Sequence, residues 1–172
     1  EHKYNDAGHA IHSAILMARP DVNVVLHSHT RAGMAVSCMQ CGLLPLTQQA
    51  SEVMDNLCYH NYDVAVGAED ECERLGRDIG DKNAMIMHNH GLLTCASTVA
   101  EAFYQMYILE NACKVQVDAM ASGADLHHTK ESAAKMLRDY GRVKPNKPSR
   151  SSRLAWPALI RMLEKQDDSY RS

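Results

Sequence analysis

Hydrophobic residues recur along this chain in two different periods, one typical of helices and one typical of buried strands. Ile11 and Ile15 repeat at helical spacing and predict a helix over residues 7–18 that ends before Pro20. The apolar run 22–26 is rich in β-branched residues and predicts a buried strand. Helices and short strands alternate in the same way further along the chain, which favours a layered α/β domain.

The remaining elements are predicted from similar patterns and from capping residues. Thr47 is a typical N-cap, and the acidic residues that follow position 69 suit the first turn of a helix. Shorter helices are predicted over 30–39, 48–54, 69–79 and 130–139, a last helix from 152 or 153, and strands over 57–61, 84–87 and 92–95.

Residues 98–122 form the longest predicted helix. Thr98 is its expected N-cap, and Glu101 stands at the second position of a capping box. One apolar stripe of this helix is expected to face the core, and it consists of Phe103, Met106, Cys113, Val117 and Met120.

Composition narrows the class of protein. The chain has 172 residues, 45% of them hydrophobic, so we expect 1–172 to form a single domain in which 141–172 supply a polar connector (141–152) and the final helix. A net charge of −3 argues against a nucleic-acid partner. No apolar run approaches the roughly 20 residues of a membrane span, and the first residues lack the apolar segment of a signal peptide. We therefore expect a cytoplasmic protein without a membrane partner, whose six cysteines are reduced and act as small core residues.

Two histidine-rich segments carry the chemistry of the sequence. Leu26-His27-Ser28-His29 ends one apolar run, and Met87-His88-Asn89-His90-Gly91 ends another. Side chains two residues apart on a strand point to the same side, so His27 and His29 are placed to bind one ion, and a histidine of the second segment to complete the site. Three neutral imidazoles suit a divalent metal such as zinc and leave a coordination position for water or substrate. This pattern is typical of a catalytic rather than a structural metal site.

Several motifs make the chain similar to the class II aldolase/adducin family. They are His27-Ser28-His29-Thr30-Arg31-Ala32-Gly33, the upstream Ile11-His12-Ser13-Ala14-Ile15, and the later Asn89-His90-Gly91-Leu92-Leu93 and Val99-Ala100-Glu101-Ala102-Phe103. The resemblance covers nearly the whole chain to about Gly123. It is greater to the bacterial adducin-like branch than to the sugar-phosphate aldolases.

The resemblance implies a three-layer α/β/α sandwich that forms a homotetramer and acts on a small-molecule substrate. In the aldolases three histidines bind a catalytic zinc, and they map onto His27, His29 and His90. Zinc is therefore the expected metal, with Mn, Co or Fe as other divalent ions for such a site. Family domains usually begin with a helix and several strands upstream of this point, so we expect 1–172 to lack the N-terminal part of the domain.

Gly8 is the main departure from the family. The aldolases have a glutamate there that acts as a proton shuttle, and the two serines that bind the substrate phosphate fall on Asp6 and Ala7. An acid at Asp6 repels phosphate, which argues against a phosphorylated sugar and against a thiosugar-phosphate dehydratase. His9 is adjacent to the lost glutamate, and we interpret it either as an acid–base replacement or as an exposed histidine of the first helical turn.

Three further residues near the expected metal have open roles. Arg31 follows the histidine pair, and its guanidinium suits a substrate carboxylate or a salt bridge across a subunit contact. His88 is expected to share a strand face with His90, because side chains alternate along a strand with period two. Its role is that of a fourth ligand, of a support for the ligands or of a partly solvated histidine. His12 matches a histidine common in the family and is expected to support the site.

The function predicted first is a metal-dependent lyase that acts on a small carbonyl or carboxylate compound through a stabilised enolate. Loss of the family glutamate at Gly8 disfavours aldol cleavage relative to decarboxylation, because cleavage needs a placed proton shuttle. The alternative is a non-catalytic assembly module of the adducin kind that keeps the metal-site histidines.

Overall fold

The computed structural model describes residues 5–61, 69–141 and 149–171. Helices and strands alternate in these residues, as the sequence pattern predicts. The helices are α1 (Asp6–Ala18), α2 (Arg31–Ser37), α3 (Gln48–Met54), α4 (Glu69–Ile79), α5 (Val99–Ala121), α6 (Glu131–Gly141) and α7 (Arg150–Gln166), and the strands are β1 (Val24–Ser28), β2 (Leu57–His60), β3 (Ala84–Met87) and β4 (Gly91–Ala96).

The strands of the described residues form a four-stranded sheet in the order β1-β4-β3-β2. β4 pairs antiparallel with both β1 and β3, and β2 pairs parallel with β3. The register places Ser28 opposite Leu92 and His60 opposite Met87. The ends of β1 and β2 therefore lie on either side of the turn between β3 and β4.

Helices cover both faces of the sheet. Leu92 packs with residues of α2, α3 and α5 in one core cluster, whereas its neighbour Leu93 packs with residues of α1 and α4 in another. The two leucines are divided in this way because successive side chains of a strand point to opposite faces. The predicted three-layer α/β/α sandwich is confirmed.

The longest helix, α5, begins as predicted and buries part of the predicted stripe. Thr98 caps it by accepting a hydrogen bond from the backbone N–H of Glu101 at 3.3 Å. The predicted stripe is wrong at Phe103 and Met120, which are 38% and 40% exposed. It is right at Cys113, which is buried, and Met106 and Val117 are partly buried against the core. The buried positions of α5 are Glu101, Ala102, Gln105, Ile108, Leu109, Ala112, Cys113 and Gln116. Three of these residues are polar, so a pattern of hydrophobic positions does not predict their burial.

The side chain of Glu101 binds the start of α7 instead of closing the capping box. Its carboxylate accepts hydrogen bonds from the Ser149 backbone N–H at 2.8 Å and from Ser152 Oγ at 2.5 Å. The first N–H groups of a helix lack partners within the helix, and the helix dipole favours negative charge there. α7 begins at Arg150, earlier than predicted, and residues 142–148 of the predicted connector lie outside the described residues.

Two expectations from composition concern cysteines and membrane spans. Cys95 and Cys113 are buried as predicted, and burial raises the pKa of their thiols to about 11 and about 12. Cys38 and Cys41 are exposed, so the prediction that the cysteines are core residues is wrong for this pair.

No helix in the described part of the chain is long and apolar enough to cross a bilayer.

Candidate metal centre

The end of β1 and the turn between β3 and β4 lie side by side and bring three histidines together. His27 belongs to β1, and His29 directly follows the residue at which the strand ends. His90 is the last residue before β4 begins. All three members of the predicted ligand set therefore lie in one place in the structure.

Two backbone features allow this close approach. Asn89, in the middle of the turn, has a φ of 57°, in the left-handed region that asparagine tolerates better than most residues. At Gly91, an added Cβ would lie 2.4 Å from the Ser28 carbonyl oxygen and 3.2 Å from Cδ2 of His29. The backbone at Gly91 thus lies directly against β1 and His29, and a side chain at position 91 would push the two segments apart.

The Nε2 atoms of the three histidines converge at distances that fit a metal ion. Nε2 of His27 lies 2.8 Å from Nε2 of His29 and 3.3 Å from Nε2 of His90. Two nitrogens bound to one zinc ion at about 2.0–2.1 Å are themselves roughly 2.9–3.4 Å apart. Within the described residues, this is the one group of three or more potential ligands with such spacing. The donor set and the spacing therefore fit a divalent ion.

A hydrogen bond determines which nitrogen of His27 faces the other two rings. Nδ1 of His27 lies 2.9 Å from the Leu92 carbonyl oxygen, which only accepts, so Nδ1 carries a proton. The neutral ring then has its lone pair on Nε2, the atom that points toward the other imidazoles. Metal-binding histidines typically have their second nitrogen held in this way. The backbone of β4 thus orients His27 as a ligand.

The surroundings favour the neutral form of two of the rings. Burial, followed by the charges of His27, His29 and His60, lowers the pKa of His90 to about 4. Burial is also the main cause of the lowered pKa of His27, and the hydrogen bond to Leu92 partly offsets it. Both rings therefore have an unprotonated nitrogen at neutral pH, which is the form that binds metal.

The stability of the metal-free protein is expected to decrease as the pH falls from about 6.5 to about 4. Because the folded-state pKa of His90 is lowered, the unfolded chain binds the proton more tightly in this range, and protonation favours unfolding. The contribution of the neutral His90 ring to the free energy of unfolding is fully present above about pH 6.5 and is lost at about pH 4. Melting temperatures measured in a chelating buffer from about pH 4 to about pH 7.5 would show the slope.

Two matched variants separate this slope from the titration of other groups. His90→Asn removes the titrating ring and is expected to flatten the curve in that range. His128→Asn changes an exposed histidine and is expected to leave the slope as it is. If the slope of His90→Asn equals that of the unmodified protein, His90 is not its source.

His88 does not join the cluster. It lies in the turn between β3 and β4 rather than on a strand, so the period-two argument that placed it on the face of His90 is wrong. Its ring stacks on Tyr59 with the centroids 5.5 Å apart, and its Nδ1 donates to the Ser37 carbonyl oxygen at 3.3 Å. His88 therefore packs the turn against the neighbouring chain segments.

The first turns of α1 carry the position of the family glutamate. Gly8 has room for a side chain, since the nearest atoms to an added Cβ belong to the helix N-cap and are 3.8 Å away. His9 is exposed, with its Nδ1 3.5 Å from Ser13 Oγ. His12 is half-buried, and its charge is among the smaller causes, after burial, of the lowered pKa of His27. The helix therefore presents His12 toward the cluster one turn after Gly8.

Arg31 begins α2 beside a cleft of about 410 Å³ that α2 forms with α5. In this cleft Thr30 Oγ1 donates to Glu110 Oε2 at 2.5 Å, and Lys114 Nζ lies 3.6 Å from Glu110 Oε1. These contacts account for a glutamate within the apolar pattern of α5. The lining of the cleft thus combines the cations Arg31 and Lys114 with the carboxylates Glu110 and Asp118.

Comparison with known proteins identifies the family to which this fold and cluster belong. The model of the class II aldolase and adducin N-terminal domain matches residues 1–117. This match covers more than half of the chain. The chain therefore belongs to the class II aldolase and adducin family, as its motifs predict.

Individual relatives agree with this result. A protein of Pseudomonas aeruginosa named after the class 2 aldolases is 44% identical over 171 residues, which are 99% of this chain and 66% of that protein. The crystal structure of an aldolase II superfamily protein from Pseudomonas syringae has a TM-score of 0.90 at 40% identity and covers 98% of this chain and 66% of that one. An L-fuculose 1-phosphate aldolase from Glaciozyma antarctica has a TM-score of 0.76 at 27% identity, with 94% and 61% covered. The chain spans between 61% and 66% of these proteins.

Proposed function

We propose that this protein is a divalent-metal-dependent lyase that acts on a small carbonyl or carboxylate compound. The convergence of three histidine Nε2 atoms carries the proposal, because the distances of 2.8 and 3.3 Å suit ligands of one ion. Membership in a family that includes the class II aldolases supports it. The reaction is aldol cleavage or decarboxylation. Decarboxylation is favoured because Gly8 offers no carboxylate for proton transfer.

In this proposal His27, His29 and His90 hold the ion, and zinc is the first choice, with Mn, Co and Fe as alternatives. When bound, the ion supplies Lewis-acid polarisation of a carbonyl oxygen and stabilises the negative charge of an enolate. The chain orients two of these ligands, because the Leu92 carbonyl holds His27 and the β3–β4 turn carries His90.

Arg31 and His9 are the proposed contacts with the substrate. Arg31 binds a carboxylate of the substrate through the paired N–H donors of its guanidinium. His9, exposed in the first turns of α1, transfers protons between solvent and substrate near neutral pH. One relative is named for a phosphorylated sugar, but Asp6 stands at the start of α1, where its charge repels phosphate. A carboxylate is therefore the proposed anionic group.

The proposed assembly is a cytoplasmic homotetramer, in keeping with the family resemblance. Residues from a neighbouring subunit would complete the pocket around the histidines. The chain described here supplies the three proposed metal ligands itself.

Metal analysis and an enolisation assay together test the proposed function. Mass spectrometry is expected to find about one divalent ion per chain in the purified protein. Proton NMR in deuterated water is expected to show exchange next to the carbonyl group, or signals of the decarboxylated product, for members of a panel of small oxo-acids. Chelation is expected to abolish this activity and added zinc to restore it. A protein that binds no divalent ion and converts no member of the panel would contradict the proposal.

A non-catalytic assembly module of the adducin kind is the second candidate. The family includes the adducins, and the chain lacks a carboxylate at Gly8, which favours this alternative. The alternative predicts a metal-free protein whose oligomeric state, measured by light scattering, is unchanged when His27 and His29 are both replaced by alanine. The lyase instead predicts that this double variant loses a bound metal.

A further inference from the structure

A partly buried cluster of ionisable side chains lies next to the turn that carries His90. The ring of His60 is 1% exposed and is held between two carboxylates of α4. Its Nδ1 is 2.7 Å from Asp78 Oδ2, and its Nε2 is 2.9 Å from Glu71 Oε1. Glu71 is also buried, and its other oxygen pairs with Arg74. We call these four residues the His60 cluster.

The hydrogen bonds connect both ring nitrogens of His60 to α4. Each nitrogen lies within hydrogen-bonding distance of a carboxylate oxygen, one of Asp78 and one of Glu71. Among the described residues, His60 lies against both carboxylates, and Arg74 pairs with Glu71. In a buried cluster each charge depends on its partners, because removing one leaves the others unpaired at low dielectric. The cluster therefore holds the end of β2 firmly against α4.

The same residue also holds the histidine turn by its backbone. His60 is the last residue of β2 and pairs with Met87, the last residue of β3. Its carbonyl oxygen accepts a hydrogen bond from the His88 backbone N–H at 2.8 Å. His90 follows two residues later. The side chain of His60 is thus tied to α4, and its main chain to the first residue of the turn.

We infer that the His60 cluster positions the turn 88–90 so that His90 meets the other two imidazoles at metal-binding distance. The inference rests on the proposed function, because it concerns metal affinity. Metal sites require ligand distances within about 0.2 Å of their ideal values. A shift of the β2 end moves His88, and with it His90, whereas His27 lies on β1 and His29 directly follows β1. His60 and Glu71 act through the turn and are positioning residues.

Glu71→Gln tests the inference, because it keeps the shape of the side chain and removes its charge. The dissociation constant for zinc, measured by competition with a chromophoric chelator, is expected to rise about tenfold or more, since loss of groups that orient ligands typically costs 10–100-fold. The visible absorption of the protein loaded with cobalt(II) is expected to change as the ligand geometry changes. Asp78→Asn alters the more exposed carboxylate and is expected to show a smaller effect in the same direction.

Glu101→Gln is the matched control. It makes the same change at a buried carboxylate on the other face of the sheet, where Glu101 binds α7. We expect a lower melting temperature but an unchanged zinc affinity and cobalt spectrum. An unchanged affinity and spectrum in whichever of Glu71→Gln and Asp78→Asn folds would overturn the inference and leave the proposed function intact. Equal weakening by Glu101→Gln would also overturn it. If the unmodified full-length protein binds neither zinc nor cobalt, the proposed function fails, and the inference fails with it.

Discussion

Replacing His29 by alanine is expected to abolish metal binding and turnover while leaving the fold intact. His29 is exposed immediately after β1, and its Nε2 lies 2.8 Å from Nε2 of His27. The variant retains two of the three imidazoles. We expect its zinc affinity to fall by more than the roughly 10–100-fold that is typical when an outer partner of a ligand is lost. Metal content by mass spectrometry and the proton-exchange assay measure the two losses.

The exposed His128 provides a control with the same substitution at a distance from the cluster. His128→Ala is expected to keep both its metal content and its activity. Circular dichroism and melting temperature establish that both variants fold. A folded His29→Ala protein that retains a full complement of zinc would contradict the three-histidine site. Activity that persists in the metal-free variant would contradict the metal-dependent lyase.

The histidine cluster could be predicted because its determinants are local in sequence. His27 and His29 are two residues apart at the end of an extended segment, so their side chains share one face. The same rule failed for His88 because the rule holds only while the backbone is extended. Residues 88–90 form a turn, and the left-handed φ of 57° at Asn89 separates the directions of the two flanking histidines.

The contacts that depend on packing could not be predicted in this way. The partners of Glu101 lie on α7, and Ser152 is 51 positions away in sequence. The carboxylates around His60 belong to α4 and are 11 and 18 positions away in sequence. On α5, long-range hydrogen bonds allow polar side chains such as Gln116 to be buried, so the buried face includes positions outside the apolar stripe. Hydrophobic periodicity contains no information about such partners.

Gly8→Glu is expected to give the protein aldol-cleavage activity. Gly8 stands in the first turns of α1, at the position that the family resemblance gives to the proton-shuttling glutamate. The nearest atoms to a Cβ at this position are those of Asn5, 3.8 and 3.9 Å away, so the backbone accepts a side chain without strain. A placed acid–base group typically contributes about 10²–10⁴-fold, and we expect the rates of aldol cleavage and of proton exchange to rise by that order.

Gly8→Gln separates this chemical effect from an effect on the helix. Either substitution removes a glycine from a helix and is expected to stabilise α1 by about 0.5–1 kcal/mol, which melting temperatures measure. The glutamate alone adds a titrating carboxylate, so its rate is expected to rise with pH as that group ionises. Equal rates for the two variants would show that the missing carboxylate does not limit the reaction. A faster glutamate variant would mean that the histidine cluster still supports the proton chemistry of the family, and that Gly8 is what redirects it.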